Sequence, residues 1–355
     1  MNQTLQIPRP EHPRPQFERE DWINLNGTWT FEFDFGHSGR DAGRTLYKSQ
    51  GFDREITVPF CPESRLSGVG HTDFIEDMWY HRQIGIPAAW KGRKVLLHFG
   101  GVDFESEIYV DGVSAGFHFG GSASFTHDLT PYVKAGATHD LVVRVHDVSR
   151  GSSGQPRGKQ CSSYKSAGCH YTRTTGIWQT VWLEAVSPVG IRDCQTVADF
   201  DGARFILTPS FHGLTAGNHF RATLLDGEKV VAETEVAAAD GVSLVLPVAK
   251  PKAWSPASPF LYGLRLEVVN RSGKTLDSVG SYAGLRKVHI EGDRIFLNNK
   301  PVYLRLVLDQ GFYPDGIWTA PTDGDLRRDI ELSMAAGFNG ARLHQKVFEE
   351  RFHYW

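Results

Sequence analysis

The stretch Val95-Leu96-Leu97-His98-Phe99-Gly100-Gly101-Val102-Asp103-Phe104-Glu105-Ser106-Glu107-Ile108-Tyr109-Val110-Asp111-Gly112-Val113 decides how the first half of this chain folds. Val95 to Phe99 is an apolar run that ends at Gly100-Gly101, Glu107 to Val110 alternates, and Asp111-Gly112 is a two-residue hairpin turn before Val113. Strands of this kind follow one another at short intervals from Trp22 to about Ser187, and Leu141 to Val145 is another, with Arg144 as its polar interruption. No long helical period lies between them, so the segment reads as a double-sheet antiparallel architecture.

Beyond Pro188 the texture changes to simpler hairpins. Leu224-Leu225-Asp226-Gly227-Glu228-Lys229-Val230-Val231 sets an Asp-Gly turn between two apolar strands, and Asn270-Arg271-Ser272-Gly273-Lys274 does the same further on. An immunoglobulin-like sandwich of about seven strands fits that length. After Val288 the pattern changes again. Arg294 to Leu297 and Pro301 to Leu308 read as strands around the turn Asn298-Asn299-Lys300, and the second runs into Asp309-Gln310-Gly311. The clearest helix follows: Thr322 caps it, Asp323, Asp325 and Asp329 sit towards its positive end, Leu326, Ile330 and Met334 repeat every fourth residue, and Gly337 ends it. Asn339 to His344 is a short strand, and Lys346 to Trp355 begins a second helix. Strand, helix, strand, helix is the opening of a parallel α/β unit.

Composition agrees with a multidomain, mainly β protein. The 355 residues exceed the usual size of one core, and 40% hydrophobic with 22% charged residues is globular. A net charge of −3, with Lys and Arg dispersed, offers no field for a phosphate backbone, so nucleic acid is not an expected partner. No apolar run is long enough to span a bilayer, and Met1 to Phe17 lacks the apolar centre of a secretory signal. Cytoplasmic residence is the expectation, although a processed secreted form would look the same. Cys61, Cys161, Cys169 and Cys194 have neither zinc-site spacing nor the density of a disulfide scaffold; Cys161, Cys169 and His170 read as ordinary loop residues, and neither a metal nor a cofactor is expected.

Specific words in the chain then carry a resemblance. Asn24-Leu25-Asn26-Gly27-Thr28-Trp29, Met78-Trp79-Tyr80-His81-Arg82, Phe99-Gly100-Gly101-Val102-Asp103, Tyr109-Val110-Asp111-Gly112 and Gly176-Ile177-Trp178-Gln179-Thr180-Val181-Trp182-Leu183-Glu184 resemble, in order, the signatures of the sugar-binding domain of family 2 glycoside hydrolases, the β-galactosidase and β-glucuronidase family. Trp254-Ser255-Pro256 with Pro259-Phe260-Leu261-Tyr262 is similar to that family's sandwich domain. Gly284-Leu285-Arg286-Lys287-Val288 and Leu297-Asn298-Asn299-Lys300-Pro301-Val302 are similar to its entry into the barrel. The resemblance implies a jelly-roll domain over 1–187, an immunoglobulin-like domain over 188–288, and the first strand-helix units of a (β/α)8 barrel over 289–355. It also implies retaining hydrolysis of β-galactoside- or β-glucuronide-like substrates by two glutamates on later strands, expected beyond Trp355, so that this chain alone is expected to be inactive. A whole barrel takes about 250 residues.

The resemblance also ranks the residues present. Arg342, at the end of the second barrel strand, matches an arginine that supports the nucleophile in the family; a structural salt bridge is the rival reading. His344 stands where better-known members have serine, and Gln345 where they have histidine, so His344 either lines the sugar pocket or packs locally. Asp309 either accepts bonds from sugar hydroxyls or caps its own turn. Phe312, Tyr313 and Trp318 either stack on a sugar or pack beneath their loop. Asp77, Trp79 and Tyr80 lie on a stretch that reaches the barrel mouth in some relatives, with Trp79 as sandwich core the plainer reading. Glu349 and Glu350 read as a solvated helix face with Arg351. Lys346 to Trp355 is expected to be weakly anchored or involved in association, because Val347, Phe348 and Phe352 lack strands to cover. Two other readings stay open: a non-catalytic carbohydrate-binding protein, and a structural subunit whose barrel is completed by association with another chain or a second copy.

Overall fold

The computed structural model describes residues 7–46, 52–150 and 154–355. The expected hairpin forms: Val110 pairs with Val113, and Asp111 and Gly112 both take positive φ (47° and 81°), as the tight turn between right-twisted strands requires. Around it, six antiparallel strands run in the order Arg54–Val58, Gly27–Phe33, Asp77–Gly85, Thr138–His146, Glu105–Val110 and Val113–Phe119. Four more, Trp22–Asn24, Val181–Val186, Lys94–Phe99 and Phe125–Asp128, form the opposing sheet. Trp29, Phe31, Tyr80 and Val143 of the first sheet meet Leu97, Phe99 and Leu183 of the second in one apolar core. Gly101 sits against the Trp178 indole: a Cβ there would lie 2.8 Å from its Nε1. Trp79 is buried on the outer face of the larger sheet with Tyr109 and Val142, and its Nε1 donates to Asp34 (3.0 Å).

Residues 191–283 form a second sandwich of three and four antiparallel strands. Ile191–Asp199, Arg204–Phe211 and Leu244–Pro247 face Lys229–Ala237, His219–Asp226, Tyr262–Val269 and Thr275–Ala283. Phe205, Leu207, Phe220, Leu264 and Val279 fill it. The turn after Asp226 is the one expected, with Gly227 at φ 61° and Asp226 opposite Lys229.

The last segment opens on the small sheet Val288–Glu291, Arg294–Leu297 and Lys300–Pro301. The single strand expected from Pro301 to Leu308 is interrupted. Pro301 has no amide hydrogen, and the Asn339 side chain takes the backbone partners next to it, accepting from Arg305 N (2.8 Å) and donating to Tyr303 O (2.9 Å). Strand pairing resumes at Leu306–Asp309, which lies parallel to Gly340–Leu343. Between them runs helix α1 (Asp323–Ala335), and α2 (Glu350–Tyr354) follows. Thr322 caps α1 reciprocally, accepting from Asp325 N (3.2 Å) while Asp325 Oδ2 accepts from Thr322 N (2.9 Å). Thr322→Ala is therefore expected to cost about 1 kcal/mol in a urea melt.

Two expectations about the end of the chain are overturned. The Pro-rich N-terminal stretch folds back over α2, and the buried Arg9 grips Glu349 with both terminal nitrogens (2.8 and 3.1 Å). Arg14 pairs with Glu350 (3.1 Å), while Arg351 holds Asp323 (2.5 and 2.6 Å) and the His12 carbonyl (2.9 Å). Glu349 and Glu350 are thus ion-pair anchors and not a solvated face. Phe348 and Phe352 are buried against Ala320 and Leu326, which leaves only Val347 of the three open to solvent.

Candidate functional site

Parallel register brings the candidate residues to one end of the two-stranded sheet. Leu308 stands opposite Arg342 and Asp309 opposite Leu343, and His344 N donates to Asp309 O at 2.9 Å. Asp309 does cap its own turn: its Oδ1 accepts from Gly311 N at 2.8 Å. The His344 ring is half-buried, its Nδ1 is enclosed with no hydrogen-bond partner, and its pKa is lowered by lost hydration and by the charges of Arg342 and Lys159. Arg342 is exposed. At this strand end the Arg342 guanidinium is the exposed group of the kind that binds a polyhydroxylated ligand, while Asp309 Oδ1 is committed to its own turn and His344 Nδ1 is enclosed.

The loop aromatics are packing residues. Trp318 is buried edge-on to Trp178 of the first sandwich (5.0 Å), Phe312 stacks on Tyr171 (4.0 Å), and the Tyr313 hydroxyl donates to Asp329 (2.8 Å). Asp77 is buried between Arg144 and His146, and Tyr80 lies inside the sandwich with its hydroxyl 3.3 Å from Ile177 N. Neither of these lies among the strand-end residues.

Two features had no counterpart among the residues expected to matter. The Lys346 ammonium is surrounded by the rings of Phe348, Trp318, Trp178 and Phe312, at 5.0, 5.1, 5.2 and 5.5 Å from their centroids. A lysine between Gln345 and Val347 carries no local signal of such an enclosure. Beneath the Trp178–Trp318 contact, three carboxyl groups are buried in the first sandwich. Asp103 accepts from Gln160 (2.6 Å), Asp147 from Gln155 (2.6 Å) and Thr175 (2.9 Å), and Glu63 from Thr175 N (3.2 Å). Burial raises the pKa of all three, Glu63 to about 8. Cys161 is buried beside Ser163 (3.1 Å), whereas Cys169 is exposed beside Lys159 (3.5 Å). Among the described residues, no group of three or more His, Cys, Asp or Glu is placed to hold a metal ion.

Comparison with known proteins fits this architecture. Residues 47–186 match the family model described as glycosyl hydrolases family 2, sugar binding domain, and residues 212–286 match that of glycosyl hydrolases family 2. A β-glucuronidase of Paenibacillus borealis is 24% identical over 294 residues, covering 79% of this chain and 48% of that protein. A β-galactosidase of Thermoanaerobacter pseudethanolicus is 26% identical over 341 residues, covering 91% and 43%. The chain thus spans less than half the length of either relative. A crystallised β-glucuronidase of Ruminococcus gnavus in complex with D-glucaro 1,5-lactone superposes with a TM-score of 0.80 at 22% identity, covering 99% of this chain and 60% of that one, which speaks to the fold. With two models of one family matching in order, each on its own sandwich, the chain belongs to glycosyl hydrolase family 2.

Proposed function

We propose that this chain is the N-terminal part of a retaining β-glycosidase acting on β-galactoside- or β-glucuronide-like substrates. In this reading 1–187 is the jelly-roll domain, 188–288 the immunoglobulin-like domain, and 289–355 the first units of a (β/α)8 barrel. The observation that carries it is the parallel pair with Asp309, Arg342 and His344 gathered at the C-terminal strand ends, the face on which such barrels bind substrate. The exposed Leu306 and Leu308 support it, since parallel strands ordinarily have neighbours and covered faces.

Retaining hydrolysis needs one carboxyl to protonate the leaving oxygen and another, about 5–5.5 Å away, to attack the anomeric carbon. Glu349 and Glu350 are committed to Arg9 and Arg14, so neither is free for that work. In this proposal Arg342 supports a nucleophile supplied by later strands, while Asp309 and His344 hold sugar hydroxyls. The purified chain should release no nitrophenol from aryl β-glucuronides or aryl β-galactosides, yet bind the corresponding methyl glycosides weakly in ligand-observed NMR. Turnover by the chain free of host enzyme would sink the proposal's claim of dependence on further strands. Binding unaffected by Arg342→Ala would remove the pocket.

A further inference from the structure

The enclosure of Lys346 is built from three parts of the chain. Trp178 comes from the first sandwich, Phe312 and Trp318 from the loop after Leu306–Asp309, and Phe348 from the residues next to α2. Inside it the ammonium donates to the Gly311 carbonyl at 2.5 Å. Gly311 has φ 60°, and a Cβ there would lie 2.6 Å from both Lys346 Cε and Phe348 Cζ, so the lysine stem and the ring occupy the space a side chain would need. The same residue's amide is the one that Asp309 Oδ1 accepts, and the Asp309 carbonyl accepts the His344 amide. Contacts therefore run without a gap from Lys346 through Gly311 and Asp309 to His344.

Packing alone does not explain a lysine at this place. A methionine fills an aromatic enclosure without the cost of dehydrating a charge, and replacing a buried charged group by an apolar one of similar volume is often neutral or stabilising. Burial pushes the Lys346 ammonium down to about 7, against the pull of Glu349, Asp309 and Cys61, while the four ring faces add cation–π attraction. What the ammonium adds over a methyl group is its donor bond to Gly311. We propose that Lys346 is a positioning residue for the strand-end pocket, fixing the Gly311 turn and through it the Asp309 carboxylate and the His344 ring that face the sugar. The inference rests on the sugar-facing role proposed above for those two residues.

The test compares the full chain with Lys346→Met and Lys346→Arg by amide hydrogen exchange, thermal melting and ligand-observed NMR with methyl β-D-glucuronide and methyl β-D-galactoside. For Lys346→Met, we expect a melting temperature within a few degrees of wild type. The Gly311 and His344 amides should exchange at least about tenfold faster while those of Val143 and Leu264 do not change, and sugar affinity should fall about five- to tenfold, each 1.4 kcal/mol corresponding to a factor of ten. Lys346→Arg, which keeps a donor, should recover most of both. Unchanged exchange at Gly311 and His344 overturns the proposal, as does a uniform rise at all four amides, the signature of a merely structural lysine. Sugar binding that Lys346→Met leaves intact overturns the role of Lys346 alone. Absence of sugar binding by the wild-type chain overturns the reading of the pocket itself.

Discussion

Arg19→Met is expected to lower stability by about 3–5 kcal/mol, the range for a buried charge pair that loses one partner. Arg19 is 5% exposed and joins the two sandwiches: its Nη1 donates to Glu184 (2.8 Å) on the first, while its Nε and Nη2 donate to Asp277 (3.2 and 3.0 Å) on the second. It also reaches the Ile191 carbonyl, and Asp277 accepts from Ile191 N (2.9 Å). Methionine fills much of the volume but leaves two carboxylates buried without their cation. Burial opposes the ionised form of Glu184, yet the neighbouring His98 ring (3.7 Å) and the charge of Arg19 outweigh it and hold the carboxyl at about 2, below the ordinary 4.5. A depressed carboxyl pKa contributes stability that is present above about pH 4.5 and is lost as pH falls towards 2. Urea midpoints of the wild type should drop across that window, and Arg19→Met should start lower and fall less. A loss below about 1 kcal/mol at pH 7 would show that the two carboxylates find other partners.

Glu63→Gln is expected to act with the opposite sign and at the other end of the pH scale. Glu63 is 4% exposed; burial raises its pKa first and the charge of Asp147 adds to that, against hydrogen bonds from Thr175, giving about 8. A carboxyl whose folded pKa is raised contributes stability that is fully present below its ordinary 4.5 and is lost as pH rises through 8. At about 1.4 kcal/mol per unit, the wild type loses on the order of 5 kcal/mol between those limits. Glutamine keeps the acceptor for Thr175 N and has no proton to lose. The variant should therefore match the wild type near pH 5 and exceed it by several kcal/mol near pH 8.5, measured as urea midpoints. Parallel pH curves for the two proteins would refute the assignment.

What could be read from the residues divides by distance along the chain. The turns at Asp111-Gly112 and Asp226-Gly227 and the cap at Thr322 form as expected, because each depends on φ preferences or bonds spanning four residues or fewer. The parallel return of Gly340–Leu343 onto Leu306–Asp309 was legible for a related reason: the strand, helix, strand order dictates it. Glu349 and Glu350 were misread because their partners, Arg9 and Arg14, lie more than three hundred residues away. Trp318, Phe312 and Tyr313 were open to two readings, and what decided them were Trp178, Tyr171 and Asp329 on other elements. The interruption after Pro301 came from a side chain, Asn339, which no periodicity rule weighs. Lys346 was invisible on the same ground, since three of its four rings lie on other elements.

The fold-back of the N-terminal stretch sets a clock on biosynthesis. Glu349 is made 340 residues after Arg9, which at 5–20 residues per second is a delay of roughly 20–70 s. Both sandwiches are complete in sequence well before then, and domains generally fold as units during synthesis. The ion pairs of Arg9 and Arg14 with Glu349 and Glu350 are therefore among the last contacts to form. Until α2 is made, Glu11 is the carboxylate partner Arg9 has, and the guanidinium that the finished molecule buries between Glu11 and Glu349 is only half neutralised.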